Sequence, residues 1–138
     1  MRIAALGICI GVFACADPAP PPRDAVFYQA TNLKAVGSEA ALEDFVTTHW
    51  FAMDAQGIAA GIFTDYRLLA APIDEAAWDF VMVVGYPQTA GYDDPRTREV
   101  FTAIRTEHEA RFPEAARLAD VMENVGGDGF AVVAGSGG

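Results

Sequence analysis

The stretch Trp78–Tyr86, with the sequence WDFVMVVGY, decides the fold. Every second residue from Phe80 to Tyr86 is apolar, and Val81 and Val83 between them are apolar as well. Successive side chains of a strand point to opposite faces of a sheet. The stretch therefore predicts a central strand whose two faces are both covered, one of them by helices.

Outward from this strand, the chain alternates between β-forming runs and helical periodicity. A helix is expected from the cap Ser38 to a stop between Gly57 and Gly61, and another from the cap Asp94 with Pro95 in its first turn. Pro113 should then start a separate or kinked helical segment over 114–123. The other predicted strands are Ala25–Lys34, Ile62–Ala70 and Phe130–Ala134.

The order strand, helix, strand, strand, helix, strand predicts an α+β fold of the ferredoxin-like βαββαβ type. Such a fold has a four-stranded antiparallel sheet with its helices on one face. The folded domain is expected over residues 25–134, followed by a flexible tail at 135–138.

The glycine-rich run Gly126–Gly129 lacks the Lys-Ser/Thr of a phosphate loop, so it is interpreted as a helix stop and a turn into the last strand.

Residues 1–15 have the three parts of a bacterial export signal: Arg2, an apolar run and small residues at its end. The run is too short for a membrane span, which takes about 20 residues. Val12–Cys15 resembles a lipobox, in which Cys15 is lipidated, whereas Ala14–Ala16 is an alternative A-x-A cleavage site. Residues 16–24 form a proline-rich spacer.

These features predict an exported protein, held at the periplasmic face of a bacterial membrane through Cys15, or periplasmic or secreted if it is cleaved after Ala16. Cys9 and Cys15 are the only cysteines, so the mature domain is expected to have no disulfide. With 9 basic against 19 acidic residues, nucleic acid is a poor partner.

Several pieces of Phe27–Tyr86 resemble the dimeric α/β-barrel superfamily, which includes antibiotic-biosynthesis monooxygenase-like domains. The matching pieces are a strand ending in Leu33-Lys34, a turn at Gly37, a helix carrying His49-Trp50, Gly61 before a strand, and the WDFV motif that opens at Trp78. The resemblance implies a homodimer in which two sheets face each other, which would cover the second face of Trp78–Tyr86.

The superfamily hosts cofactor-independent oxygenases, haem-binding enzymes, isomerases and members without known activity. The resemblance therefore leaves open whether this chain is an enzyme, since a fold does not fix a reaction. No cofactor is expected from the residues themselves, and haem is the one cofactor that the resemblance suggests.

His49 and His108 lie on the apolar stripes of the two predicted helices and could border a shared pocket, with His49 as the candidate catalytic or haem-binding residue. The alternative interpretation is a pair of partly buried histidines that bond to neighbours. Their spacing matches no metal-binding motif, so no metal site is expected.

Trp50, Tyr66 and Tyr86 are further candidates for a ligand pocket between the helices and the sheet, although aromatic residues of this kind are more often plain core residues. Three hypotheses follow: an envelope domain that binds a small apolar ligand without catalysis, an oxygenase-like or haem-associated enzyme that uses His49, and a structural interaction module.

Overall fold

The computed structural model describes residues 23–71 and 77–133. The predicted signal, Cys15, most of the proline-rich spacer, Ala134 and the tail at 135–138 lie outside these ranges. No helix in the described part of the chain is both long enough and apolar enough to cross a membrane.

The structure confirms an α+β fold with one four-stranded antiparallel sheet. The strands lie in the order β2-β3-β1-β4, which fits the predicted ferredoxin-like arrangement. Their bounds are β1 Phe27–Ala35, β2 Tyr66–Ala70, β3 Phe80–Tyr86 and β4 Met122–Ala131.

The helical layer starts with α1 (Glu39–Phe45), capped by the Ser38 side chain, which accepts from the backbone N–H of Ala41. A π turn over Val46–Trp50 joins α1 to α2 (Phe51–Ala59). The long α3 (Pro95–Arg111) begins at Asp94, whose carboxylate accepts from the backbone N–H of Thr97, as the sequence predicted. The remaining helices are a 3₁₀ turn at Gly91–Asp93 and a single turn, α4, at Leu118–Val121.

One face of the sheet and the inner sides of the helices form the hydrophobic core. Alternate residues of β3, from Phe80 to Tyr86, are buried against the helices, whereas Val81 and Val83 on the opposite face are only half-buried. No described helix or strand covers that opposite face, which we call the open face. Leu69 and Phe130 on the outer strands add to its apolar surface and are 47% and 55% exposed.

The second strand is shorter than predicted, because the chain from Ile62 to Phe63 is bonded to the end of α2. The backbone N–H groups of Ile62 and Phe63 donate to the carbonyl oxygen of Gly57 at 3.0 and 3.3 Å. These donors are therefore satisfied by the helix and not by a neighbouring strand, and β2 begins only at Tyr66.

After Pro113 the prediction is wrong for the helical segment and for the glycine-rich run. Only Leu118–Val121 of the predicted helical segment 114–123 is helical, and the glycine-rich run lies inside β4 instead of forming a helix stop and turn. The register of β4 against β1 shifts between Thr31 and Leu33, which marks a β-bulge. Glycine permits this bulge, because Gly126 has φ +116, a conformation that other residues rarely adopt.

Gly127 meets the neighbouring strand so closely that a side chain has no room. A Cβ atom there would lie 2.2 Å from the carbonyl oxygen of Ala30. Since the obstacle is backbone, Gly127→Ala is expected to lower the free energy of unfolding by about 3 kcal/mol. Urea denaturation measures it, with Asp128→Ala in the same strand as the control, where the exposed side chain predicts a change within about 0.5 kcal/mol. Equal losses in the two variants would contradict the close approach.

Candidate functional site

Two neighbouring spaces carry the candidate site. The inner cavity, of about 250 Å³, lies between the helices and the covered face of the sheet. The outer cleft, of about 600 Å³, lies between the π turn, α3 and the segment that follows α3. Trp50, Arg105 and Leu118 border both spaces and form their common wall.

The π turn positions the residues of α2 that face the inner cavity. The backbone N–H of Phe51 donates to the carbonyl oxygen of Val46, five residues earlier, so the turn holds one residue more than an α-helical turn. This extra residue changes which side chains point inward after Trp50. Met53, Asp54 and Gly57 are the buried residues of α2.

Asp54 is a candidate that the sequence interpretation did not single out, because an acidic side chain in an amphipathic helix is expected at the surface. Its side chain is 1% exposed and borders the inner cavity. Neither carboxylate oxygen has a hydrogen-bond partner among the described residues. Buried polar groups in folded proteins are nearly always bonded, so a carboxyl group without a protein partner beside a cavity is an exception that a bound water or a ligand would resolve.

Burial raises the pKa of the Asp54 carboxyl to about 7, because removal from water disfavours the charged form. The group can therefore be protonated near neutral pH and donate a hydrogen bond, or be ionised and accept one. Burial, followed by the nearby Asp54 charge, also raises the pKa of the Tyr86 hydroxyl, which keeps that hydroxyl neutral.

The remainder of the inner cavity is mainly apolar and aromatic. Phe101 of α3 is the centre of this lining: its ring centroid lies 6.0 Å from that of Trp50, 5.1 Å from that of Phe63 and 6.1 Å from that of Tyr92. The polar part of the lining, besides Asp54 and Arg105, comes from strands β1 and β4 through Gln29, Thr31 and Asn124. An apolar chamber with a few polar groups is typical of sites for small organic molecules.

The structure brings His49 and His108 together at the outer cleft. His49 Nδ1 lies 3.1 Å from His108 Nε2, a hydrogen-bond distance, and the Phe112 ring packs against both imidazoles. Burial, the neighbouring His49 and Arg111 lower the pKa of His108, against a smaller opposite effect of Glu109. Within residues 23–71 and 77–133, no cluster of three or more His, Cys, Asp or Glu side chains could hold a metal ion.

The other sequence candidates are divided between the two spaces and the core. Trp50 and Tyr86 border the inner cavity, as the sequence interpretation expected. Tyr66 does not border either space; its ring packs on Phe51, with the centroids 4.6 Å apart. His49 and His108 border the cleft and not the cavity.

Comparisons with protein-family models, with curated proteins and with solved structures find no match to this chain.

Proposed function

We propose that this protein binds a small, mainly apolar molecule that carries a hydrogen-bonding group. The observation that carries the proposal is Asp54, a buried carboxyl group that borders the inner cavity with no partner for either oxygen. A hydroxyl or carbonyl group of a ligand would supply that partner, while the aromatic lining would hold the hydrocarbon part. A volume of about 250 Å³ limits the buried part of the ligand to a short chain or a small ring.

Trp50 provides a fluorescence signal for this proposal, because the chain has 2 tryptophans and Trp78 can be replaced by phenylalanine. In the Trp78→Phe background, titration with 1-octanol is expected to change the Trp50 emission saturably. Thr31→Phe, which fills the cavity, should abolish the change, whereas Thr102→Phe at an exposed position of α3 should preserve it. No saturable change in the Trp78→Phe protein, or equal binding by both phenylalanine variants, would overturn the proposal.

A second candidate function, proton transfer, is favoured by the same carboxyl group. General acids and bases work best when their pKa is close to the working pH, and the pKa of Asp54 is about 7. Asp54 would take a proton from the carbon beside a ketone, leaving an enolate, and then return a proton to that carbon. Incubation with 2-octanone in D₂O tests it: deuterium incorporation that is lost in Asp54→Asn supports catalysis, and none above the buffer rate leaves binding alone.

Haem association through His49 is the remaining enzymatic hypothesis from the sequence. The inner cavity does not fit haem, because its 250 Å³ is below the range of about 300–1,000 Å³ that serves even drug-sized ligands. Haem would have to lie in the outer cleft, where His49 already bonds to His108. A Soret band in the purified protein that disappears in His49→Ala would support this hypothesis, and a colourless protein would refute it.

We also propose that the domain forms a homodimer through the open face, in the manner of a dimeric α/β barrel. The support is an apolar strip of Val81, Val83 and Leu69 that no described helix or strand covers. Beside this strip lies the ion pair between Lys34 and Asp79. Light scattering after size exclusion should give twice the chain mass, and Val83→Glu should give a monomer while Thr102→Glu does not. A monomeric wild type at micromolar concentration would contradict the dimer.

The proposed location is the periplasmic face of a bacterial membrane, with Cys15 lipidated and residues 16–24 as a spacer. The support is the sequence of the leader alone. Mass spectrometry of the mature protein should find a lipid-modified Cys15 as its first residue. A free amino terminus at Asp17 would contradict lipidation while agreeing with export.

A further inference from the structure

The outer cleft is basic although the protein as a whole is acidic. Its ionisable lining consists of two arginines, two histidines and a single acid: Arg105, Arg117, His49, His108 and Glu109. The formal net charge of the full chain is −10. A local excess of positive charge on such a background attracts anions to one place.

Arg105 is the most informative of these groups, because it stands in the common wall of the cleft and the cavity. The residue is half-buried, and its guanidinium makes no ion pair or hydrogen bond with the part of the protein that the structure describes. A guanidinium group is always charged and presents a planar fork of donors that matches a carboxylate, sulfate or phosphate group. Withdrawing such a group partly from water without a partner costs free energy, which an anionic ligand would recover.

The histidine pair adds a donor beside Arg105. Two neutral imidazoles joined by one hydrogen bond leave one ring N–H free, whichever ring donates. Neither ring has another hydrogen bond among the described residues, and both residues border the cleft. The lowered pKa of His108, caused first by burial, favours the neutral form of this ring.

We infer that the ligand is an amphiphilic organic anion. Its hydrocarbon part occupies the inner cavity against Trp50 and Phe101 and carries the hydroxyl or carbonyl group that meets Asp54, and its negatively charged head lies in the outer cleft at Arg105, close to the histidine pair. This inference rests on the proposed ligand-binding function and adds the charge and the orientation of the ligand.

The test uses three probes with one tail and different heads: octyl sulfate, 1-octanol and octyltrimethylammonium. Binding is followed by Trp50 emission in the Trp78→Phe background, below the concentration at which the probes form micelles. Octyl sulfate is expected to bind about tenfold more tightly than octanol, which corresponds to one charge-assisted hydrogen bond. The cationic probe should bind more weakly than either.

Arginine variants locate the charge effect. Arg105→Met is expected to reduce the affinity ratio of octyl sulfate to octanol to about one, whereas Arg96→Met, at an exposed position of the same helix, keeps the ratio. If Arg105→Met does not fold, Arg117→Met in the cleft should lower the ratio by a smaller factor.

The outcomes separate this inference from the proposed function. If none of the three probes changes the emission, the ligand-binding function fails. If octanol binds but octyl sulfate binds no more tightly, or if Arg96→Met lowers the ratio as much as Arg105→Met, the cavity binds ligands and the anionic head is wrong.

Discussion

Replacing Asp54 with asparagine is expected to stabilise the protein far more at pH 8 than at pH 4. The free energy of unfolding of the variant relative to wild type should rise by about 4 kcal/mol from pH 4 to pH 8. The cause is burial, which raises the pKa of the carboxyl from 3.8 to about 7 in the folded state. Asparagine has almost the same shape, so its own buried amide adds an offset that does not depend on pH.

The direction follows from proton binding in the two states. Below about pH 4 the Asp54 carboxyl is protonated in both the folded and the unfolded chain, and this group does not lower the stability of the wild type. Between about pH 4 and pH 7 the unfolded chain releases this proton while the folded protein retains it, so the wild type loses stability as the pH rises. Above about pH 7 both states are ionised and the loss is complete.

Urea denaturation of both proteins from pH 4 to pH 8 measures this difference. The control is Asp44→Asn, which changes an exposed aspartate of the same helical layer, before the π turn. If the free energies of unfolding of wild type and Asp54→Asn differ by the same amount at every pH, the Asp54 carboxyl reaches water in the folded protein.

Phe101→Ala is the second substitution with a large expected effect. Phe101 is 4% exposed and its ring contacts three other aromatic side chains, so truncation removes buried surface and enlarges the inner cavity. A loss of about 3–5 kcal/mol in the free energy of unfolding is expected, which is typical for a buried phenylalanine.

Phe112 provides a matched control for this substitution. It directly follows α3 as the C-cap residue, it is 42% exposed, and its ring lies at the outer cleft. Phe112→Ala should therefore cost much less than Phe101→Ala in the same urea experiment, since less surface is lost from the interior. Losses of equal size would show that Phe101 is not at the centre of the packing between α3 and the sheet.

The sequence predicts those parts of the fold in which periodicity and capping agree. The alternation in β3 and the Ser38 and Asp94 caps were sufficient for the central strand and for the starts of the helical layer and of α3, whereas the sequence left open whether His49 and His108 meet. In each case the local pattern and the burial that it requires favour the same structure.

The sequence could not place Asp54, because a helical pattern assumes one constant turn. The π turn before it adds a residue, and this depends on how the helix packs on the sheet and not on a local signal. The conformations of Gly126 and Gly127 likewise had no local signal in the sequence. Glycine predicts a turn in isolation, whereas here it permits a bulge and a close backbone contact with β1.

The bulge in β4 also bears on the solubility of the protein. In the described sheet β4 is an outermost strand, so one row of its backbone donors and acceptors has no neighbouring strand. A long, regular outer strand is a template for aggregation through strand addition. The kink at Gly126 interrupts that row, and Asp128 places a charge beside it. A bulge and a charge on an outer strand are features that disfavour edge-to-edge pairing of sheets.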